Sequence, residues 1–187
     1  MINKQLEKCV SIDIETTGVN PGENAIIEIG ATLWSGGDRF FVECFMPSGT
    51  VYHPRALEVN GHTEGELKAR NWRKYMSQHE ACHSLLNFCE SHGVTVMIGK
   101  NPDFDRKFLL HFSGLGDRVF PLSYRTIDYG SMATLQMLRD GLAVPEKGFS
   151  SDQIAEYFGI PEEEKPHNAL RGAIHNQIAL DKILKED

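Results

Sequence analysis

The first 46 residues narrow the fold more than any other part of the chain. Cys9-Val10-Ser11-Ile12-Asp13-Ile14 ends in apolar–polar alternation, the mark of a β-strand. A turn rich in Gly, Asn and Pro follows over residues 18–22, and residues 25–34 read as a second strand. Ser35-Gly36-Gly37-Asp38 supplies hairpin chemistry before a third strand over residues 39–46. The expectation is a three-stranded antiparallel meander.

Beyond it the texture changes. Thr63-Glu64-Gly65-Glu66 resembles a capping box. Apolar spacing at Met76, Leu85, Leu86 and Cys89 predicts a helix over residues 75–91. Residues 94–98 read as a short buried strand, and Pro102 opens a helix over 102–112. One more strand is expected at 125–128 and three helices at 130–138, 151–158 and 168–185. A meander followed by alternating helices and strands predicts an α/β fold, a five-stranded mixed sheet with helices on both faces. At 187 residues, with no repeat or linker, residues 1–187 read as a single domain.

Nineteen basic against 26 acidic residues leave a net charge of −7. That balance excludes polyanion binding by bulk electrostatics, so such a role needs a local basic patch or metal ions. Lys68, Arg70, Arg73 and Lys74 form one basic cluster. It reads first as a solvated helix face and second as a guide for a phosphate backbone. No apolar run reaches the roughly 18 residues of a membrane span, and residues 1–8 lack a secretory signal's apolar stretch. Cys9, Cys44, Cys82 and Cys89 are unclustered and read as reduced core residues. The expected setting is cytoplasmic, with no membrane partner.

Asp13 and Glu15 lie two apart, so both carboxylates share one face of the first strand. Alone, the pair reads more simply as two solvated acids than as ligands for a hard cation. Thr16-Thr17-Gly18 then leaves the strand as a small turn suited to close approach by a ligand. Asn101-Pro102-Asp103-Phe104-Asp105 opens one helix, and His167-Asn168-Ala169-Leu170 opens the last.

In this order these segments resemble the DEDDh family of 3′→5′ exonucleases, on the ribonuclease-H-like fold. The likeness runs from Ser11 to about Ala173, through Ser-Ile-Asp-Ile-Glu-Thr-Thr-Gly, Ile26-Ile27-Glu28-Ile29-Gly30-Ala31 and Val59-Asn60-Gly61-His62-Thr63. It implies metal-dependent hydrolysis of DNA or RNA from a 3′ end, with single strands as substrate, by two Mg²⁺ or Mn²⁺ ions. By resemblance Asp13 bridges both ions, Glu15 holds the ion carrying the attacking water, and Asp105 supports the second. His167 is the general base. Thr16, Thr17 and Gly18 surround the terminal nucleotide, with His62 beside it. Asn101 fixes the turn that presents Asp105, and Phe104 either packs beside a base or anchors its helix. A polymerase or other protein partner is left open.

The chain departs from the pattern at one position. The family's third motif, His-x-Ala-x-x-Asp, expects an aspartate where this sequence has Gly172. Asp181 is roughly 13 Å further along the helix, too far to substitute. Three readings stand: water fills the vacated ligand position, His175 compensates from the same helical face, or the domain binds nucleic acid or a protein without cutting. A zinc site from His79, Cys82, His83 and Cys89 is disfavoured, since structural zinc usually gathers ligands from separate elements.

Overall fold

Strand β1 (Cys9–Thr16) is the middle strand of the sheet, and the rest of the molecule is ordered about it. In this computed structural model, which describes residue 4, residues 6–116 and residues 119–185, five strands form one sheet in the order β3-β2-β1-β4-β5. Residues 1–3 and 5, part of the stretch read as lacking a secretory signal, lie outside the described residues. β1 pairs antiparallel with β2 (Ile26–Leu33), and β2 antiparallel with β3 (Arg39–Glu43). On its other edge β1 pairs parallel with β4 (Val96–Gly99), and β4 parallel with β5 (Ile127–Asp128). This is the mixed five-stranded sheet expected from the sequence.

Period-two alternation along β1 assigns its two faces. Val10, Ile12 and Ile14 join one core with Leu85 and Leu86 of α3 (Gln78–Ser91) and Phe108 and Leu109 of α4 (Pro102–Ser113). Cys9 joins the opposite core with residues of α5 (Tyr129–Arg139), α6 (Ser151–Phe158) and α7 (Ala169–Ile183). Both faces are therefore covered. Each fully buried Ile or Leu there contributes roughly 1.5–3 kcal/mol.

Helix α7 lies close on β1 and β2. The Ser11 hydroxyl donates to the Ala173 carbonyl at 2.7 Å. A Cβ on Gly30 would collide with the Ala169–Leu170 backbone, so only glycine permits this approach. Asn168, taken at first as the first helical residue, is instead the N-cap, its side chain accepting from Arg171 N at 3.3 Å.

Besides shifts of one or two residues at several ends, three departures from expectation stand out. The helix expected from residue 75 starts at Gln78, because Ser77 and Glu80 form a capping box. Met76, counted on its apolar face, is 41% exposed and bridges to Cys44. The third strand ends at Glu43 rather than residue 46. A seven-residue helix, α1 (Pro54–Asn60), precedes the capped α2 (Glu64–Ala69) and was not anticipated. All four cysteines are buried and free.

Candidate active site

Asp13 and Glu15 project from β1 toward the face that α7 covers. They are not the exposed strand acids of the simpler reading: Glu15 is 7% exposed and Asp13 only partly accessible. Glu15 stands directly opposite Glu28, and Asp13 opposite Gly30, in the β1–β2 register. Asp105 arrives from α4. Asn101, the N-cap, adopts a left-handed conformation (φ 55°), and its N–H donates to Asp128 Oδ1 at 3.0 Å. That turn sets α4 so that Asp105 Oδ1 accepts from Ile14 N at 3.1 Å, beside the two β1 acids.

The three carboxylates are in an electrostatically unfavourable setting. Burial, then Asp105, Glu15, Glu163 and Glu28, holds Asp13 well above the usual carboxylate range. Burial first, then Glu28, Glu163 and Asp105, pushes Glu15 up to about 8, against a hydrogen bond from Asn60 that lowers it. Burial raises Asp105 to about 7 despite its backbone hydrogen bonds. Desolvation disfavours the charged form and like charges add to the penalty, so the cluster needs protons or a cation.

His167 lies in the segment before α7, linked to the cluster through Glu163, whose charge raises the pKa of both Asp13 and Glu15. The His167 N–H donates to Val59 O at 3.1 Å, and its side chain is 29% exposed. Its ring lines a cleft of about 720 Å³ with Arg55, Glu58, Ser151, Lys165 and neighbouring residues. Glu163 Oε2 lies 3.8 Å from His167 Nδ1.

Glu28 ties this frame together. One oxygen accepts from Asn168 Nδ2 at 2.7 Å and Ala169 N at 3.1 Å; the other lies 3.4 Å from His62 Nε2. Asn60 donates to Thr16 O at 3.2 Å. Sequence reasoning missed Glu28, Asn60 and Glu163 as site residues.

Other candidates occupy more structural positions. Thr16 Oγ1 donates to Gly18 O at 2.6 Å. Thr17 is fully buried, its hydroxyl donating to Val51 O at 2.8 Å and accepting from Ala25 N at 3.0 Å, so it builds the turn. A Cβ on Gly18 would strike His53 and Asn24, which keeps that turn tight. Phe104 packs on Phe108 with centroids 5.1 Å apart. Arg70 is not on a solvated face: it donates to Ile27 O, Cys44 O and Glu43. Cys82 and Cys89 sit in the core, where burial pushes both thiols up to about 12. His175 Nε2 lies 2.8 Å from Pro161 O and Asp181 pairs with Lys185, so neither is oriented by the acid cluster.

Gly172 packs directly beneath Asp13, where a Cβ would sit 2.7 Å from Asp13 Cγ. Among the described residues, no three His, Cys, Asp or Glu side chains converge on one point closely enough to hold an ion in these rotamers. The Asp13 carboxylate leans over Gly172, and Asp105 is engaged by Ile14 N. In chemistry the donor set nevertheless fits a hard divalent cation: buried carboxylate oxygens whose mutual repulsion such a charge relieves.

Residues 8–184 match the 3'-5' exoribonuclease Rv2179c-like domain. The chain belongs to this family. Among curated proteins, the 3'-5' DNA exonuclease Cap18 of Escherichia coli is 26% identical over 125 residues, which span 66% of each chain. Among solved structures, E. coli Exonuclease I in complex with a dT13 oligonucleotide superposes with TM-score 0.70 at 19% identity. That likeness covers 95% of this chain and 40% of Exonuclease I. Cell-death related nuclease 4 superposes with TM-score 0.68 at 14% identity, over 95% of this chain and 64% of its own. These likenesses establish the ribonuclease-H-like fold with helices on both faces of its sheet.

Proposed function

We propose that this family member is a metal-dependent 3′→5′ exonuclease acting on single-stranded nucleic acid, with residues 1–187 forming one catalytic domain. The observation that carries the reading is the burial of three mutually repelling acids, Asp13 and Glu15 on β1 and Asp105 reaching the N–H of Ile14 between them. A fold with no cation to hold has no physical use for that repulsion. The curated relative is named a DNA exonuclease and the family an exoribonuclease, so both sugars belong in the test.

In this reading Asp13, Glu15 and Asp105 would hold two Mg²⁺ or Mn²⁺ ions. Divalent ions there supply an activated water and neutralise charge developing on the leaving oxygen. His167, partly exposed in the cleft wall, would accept the proton of the attacking water. Gly18, His62, Asn101 and Phe104 border the terminal nucleotide, while Thr16 and Thr17 shape the turn beneath it. Lys165 and Arg55 in the cleft wall supply local positive charge that the net of −7 conceals.

Among the described residues no helix is long and apolar enough to cross a membrane. Four free, buried cysteines suit a reducing cytoplasm. A second reading, binding without cleavage, is favoured by Gly172 alone. One experiment separates them: 5′-labelled single-stranded DNA and RNA oligonucleotides incubated with Mg²⁺, Mn²⁺ or EDTA. A ladder descending from the 3′ end, present only with metal, is expected. Binding with intact substrate would establish the second reading, and internal cuts would refute an exonuclease.

A further inference from the structure

Residue 172 offers no carboxylate, yet the fold brings one to the site from a different element. Glu163 lies between α6 and α7, in the run Glu162-Glu163-Glu164. Its neighbours are exposed, whereas the Glu163 side chain is 20% exposed and turned toward His167. At 3.8 Å from His167 Nδ1 it is within ion-pair reach but beyond hydrogen-bonding distance. Its charge acts on both Asp13 and Glu15, and on Glu15 more strongly than that of Asp105.

The opposite wall explains why the carboxylate comes from this side. The Asp13 carboxylate occupies the space where a side chain on residue 172 would begin. Helix α7 cannot recede to make room without losing the contact between Gly30 and Ala169. An acid at residue 172 would therefore enter only as the Asp13 side chain swings aside. Glu163 approaches from the loop side and has one methylene more of reach than aspartate.

We propose that Glu163 is the fourth carboxylate of the site, standing in for the aspartate that the DEDDh pattern places at residue 172. It serves the divalent ion on the His167 side, directly or through one ordered water. The inference rests on the exonuclease reading and assigns its missing ligand. Two consequences follow for this chain: Glu163 is indispensable while residue 172 is glycine, and it becomes dispensable once residue 172 carries an acid.

The test is calorimetric titration of Mn²⁺ into EDTA-stripped wild type, Glu163→Gln, Glu163→Gln/Gly172→Asp and Asp13→Ala/Glu15→Ala. Circular dichroism checks the fold of each, and oligonucleotide cleavage is measured in parallel. Glu163→Gln should weaken Mn²⁺ binding by about 10- to 100-fold, the range typical for loss of a supporting group at a metal site. Adding Gly172→Asp should return affinity and cleavage to the wild-type range. Unchanged Mn²⁺ affinity in Glu163→Gln, beside loss in the Asp13→Ala/Glu15→Ala protein, would overturn this assignment and leave the exonuclease reading standing. So would a folded double variant whose affinity is not restored. Slower turnover at unchanged affinity would reduce Glu163 to orienting His167, which also overturns it. Wild type that neither binds Mn²⁺ nor cleaves would remove both readings.

Discussion

Glu15 of β1 and Glu28 of β2 stand directly opposite each other across the sheet, 7% and 6% exposed. Like charges at such a position oppose strand pairing. The fold retains the pair because each acid is engaged elsewhere: Glu28 holds Asn168 and Ala169 at the start of α7, and Glu15 is bonded by Asn60. The remaining repulsion is what a divalent cation relieves, and it links the metal-free protein's stability to pH.

Raised carboxylate pKa values make that linkage testable. Glu15, held at about 8, and Asp105, at about 7, keep their protons in the folded state where an unfolded chain, near 4.5 and 3.8, has lost them. Their contribution is complete below about pH 4 and is lost as pH rises through 7 to 8, at about 1.4 kcal/mol per pH unit for each group. Thermal melts in EDTA should therefore show Tm falling between about pH 5 and pH 8. Saturating Mn²⁺ should flatten or reverse the slope, because the ion binds the deprotonated acids. A Tm that ignores both pH and metal would contradict the electrostatic account.

Asp13→Asn removes one buried charge at nearly constant volume. In EDTA near pH 8 the variant should be more stable than wild type by about 0.5–2 kcal/mol, the usual gain when a strained functional site is relaxed. Metal-dependent cleavage should fall to background. Urea unfolding and the oligonucleotide assay read the two effects, and a less stable variant would show that Asp13 is held by structural bonds instead.

Glu28→Ala tests the clamp. With Mn²⁺ present to offset the repulsion at Glu15, the dominant effect is loss of the acceptor for Ala169 N and Asn168 Nδ2, costing about 1–3 kcal/mol. Turnover should drop more than KM rises, because the start of α7 beside His167 loosens. An unaltered kcat would separate Glu28 from the site.

How much of this the sequence carried depended on range. Alternation in β1 and β2 and the Ser35–Asp38 turn chemistry are local signals, and the meander followed from them. Met76 misled because it falls on the apolar spacing of the helix, whereas the Ser77–Glu80 capping box sets the start of α3. Helix α1, only seven residues long, lacked enough apolar period to register. Asp13, Glu15, Asp105 and His167 were legible as motif residues. Glu28 was not, because its partners Asn168 and Ala169 are 140 and 141 residues away and only the β1–β2 register reveals it. Glu163 gave no local signal: it is the middle one of three consecutive glutamates, and only the fold turns it inward while its neighbours stay exposed.

Gly30→Ala should destabilise the protein by about 1–3 kcal/mol, since the added methyl meets the backbone of Ala169 rather than a movable side chain. The same substitution at Gly37, where a Cβ meets nothing within 4 Å but φ is +97°, isolates backbone strain from overpacking. Urea midpoints for the pair distinguish the two costs, and a neutral Gly30→Ala would refute the close packing of α7 on β2.

His167→Ala should lower kcat by about 10²- to 10⁴-fold, the span of general acid–base catalysis, while oligonucleotide affinity stays near wild type. A loss confined to affinity would assign His167 to substrate binding.

The most direct test is the initial cleavage rate of a 5′-labelled single-stranded oligonucleotide against Mn²⁺ concentration, for wild type and a parallel preparation of Asp13→Asn/Glu15→Gln. The account predicts a saturable, metal-dependent rise in 3′-end shortening for wild type and none for the variant, although the variant still folds and binds the oligonucleotide. Equal cleavage by both proteins would contradict it, because the buried carboxylates would then have no part in the chemistry.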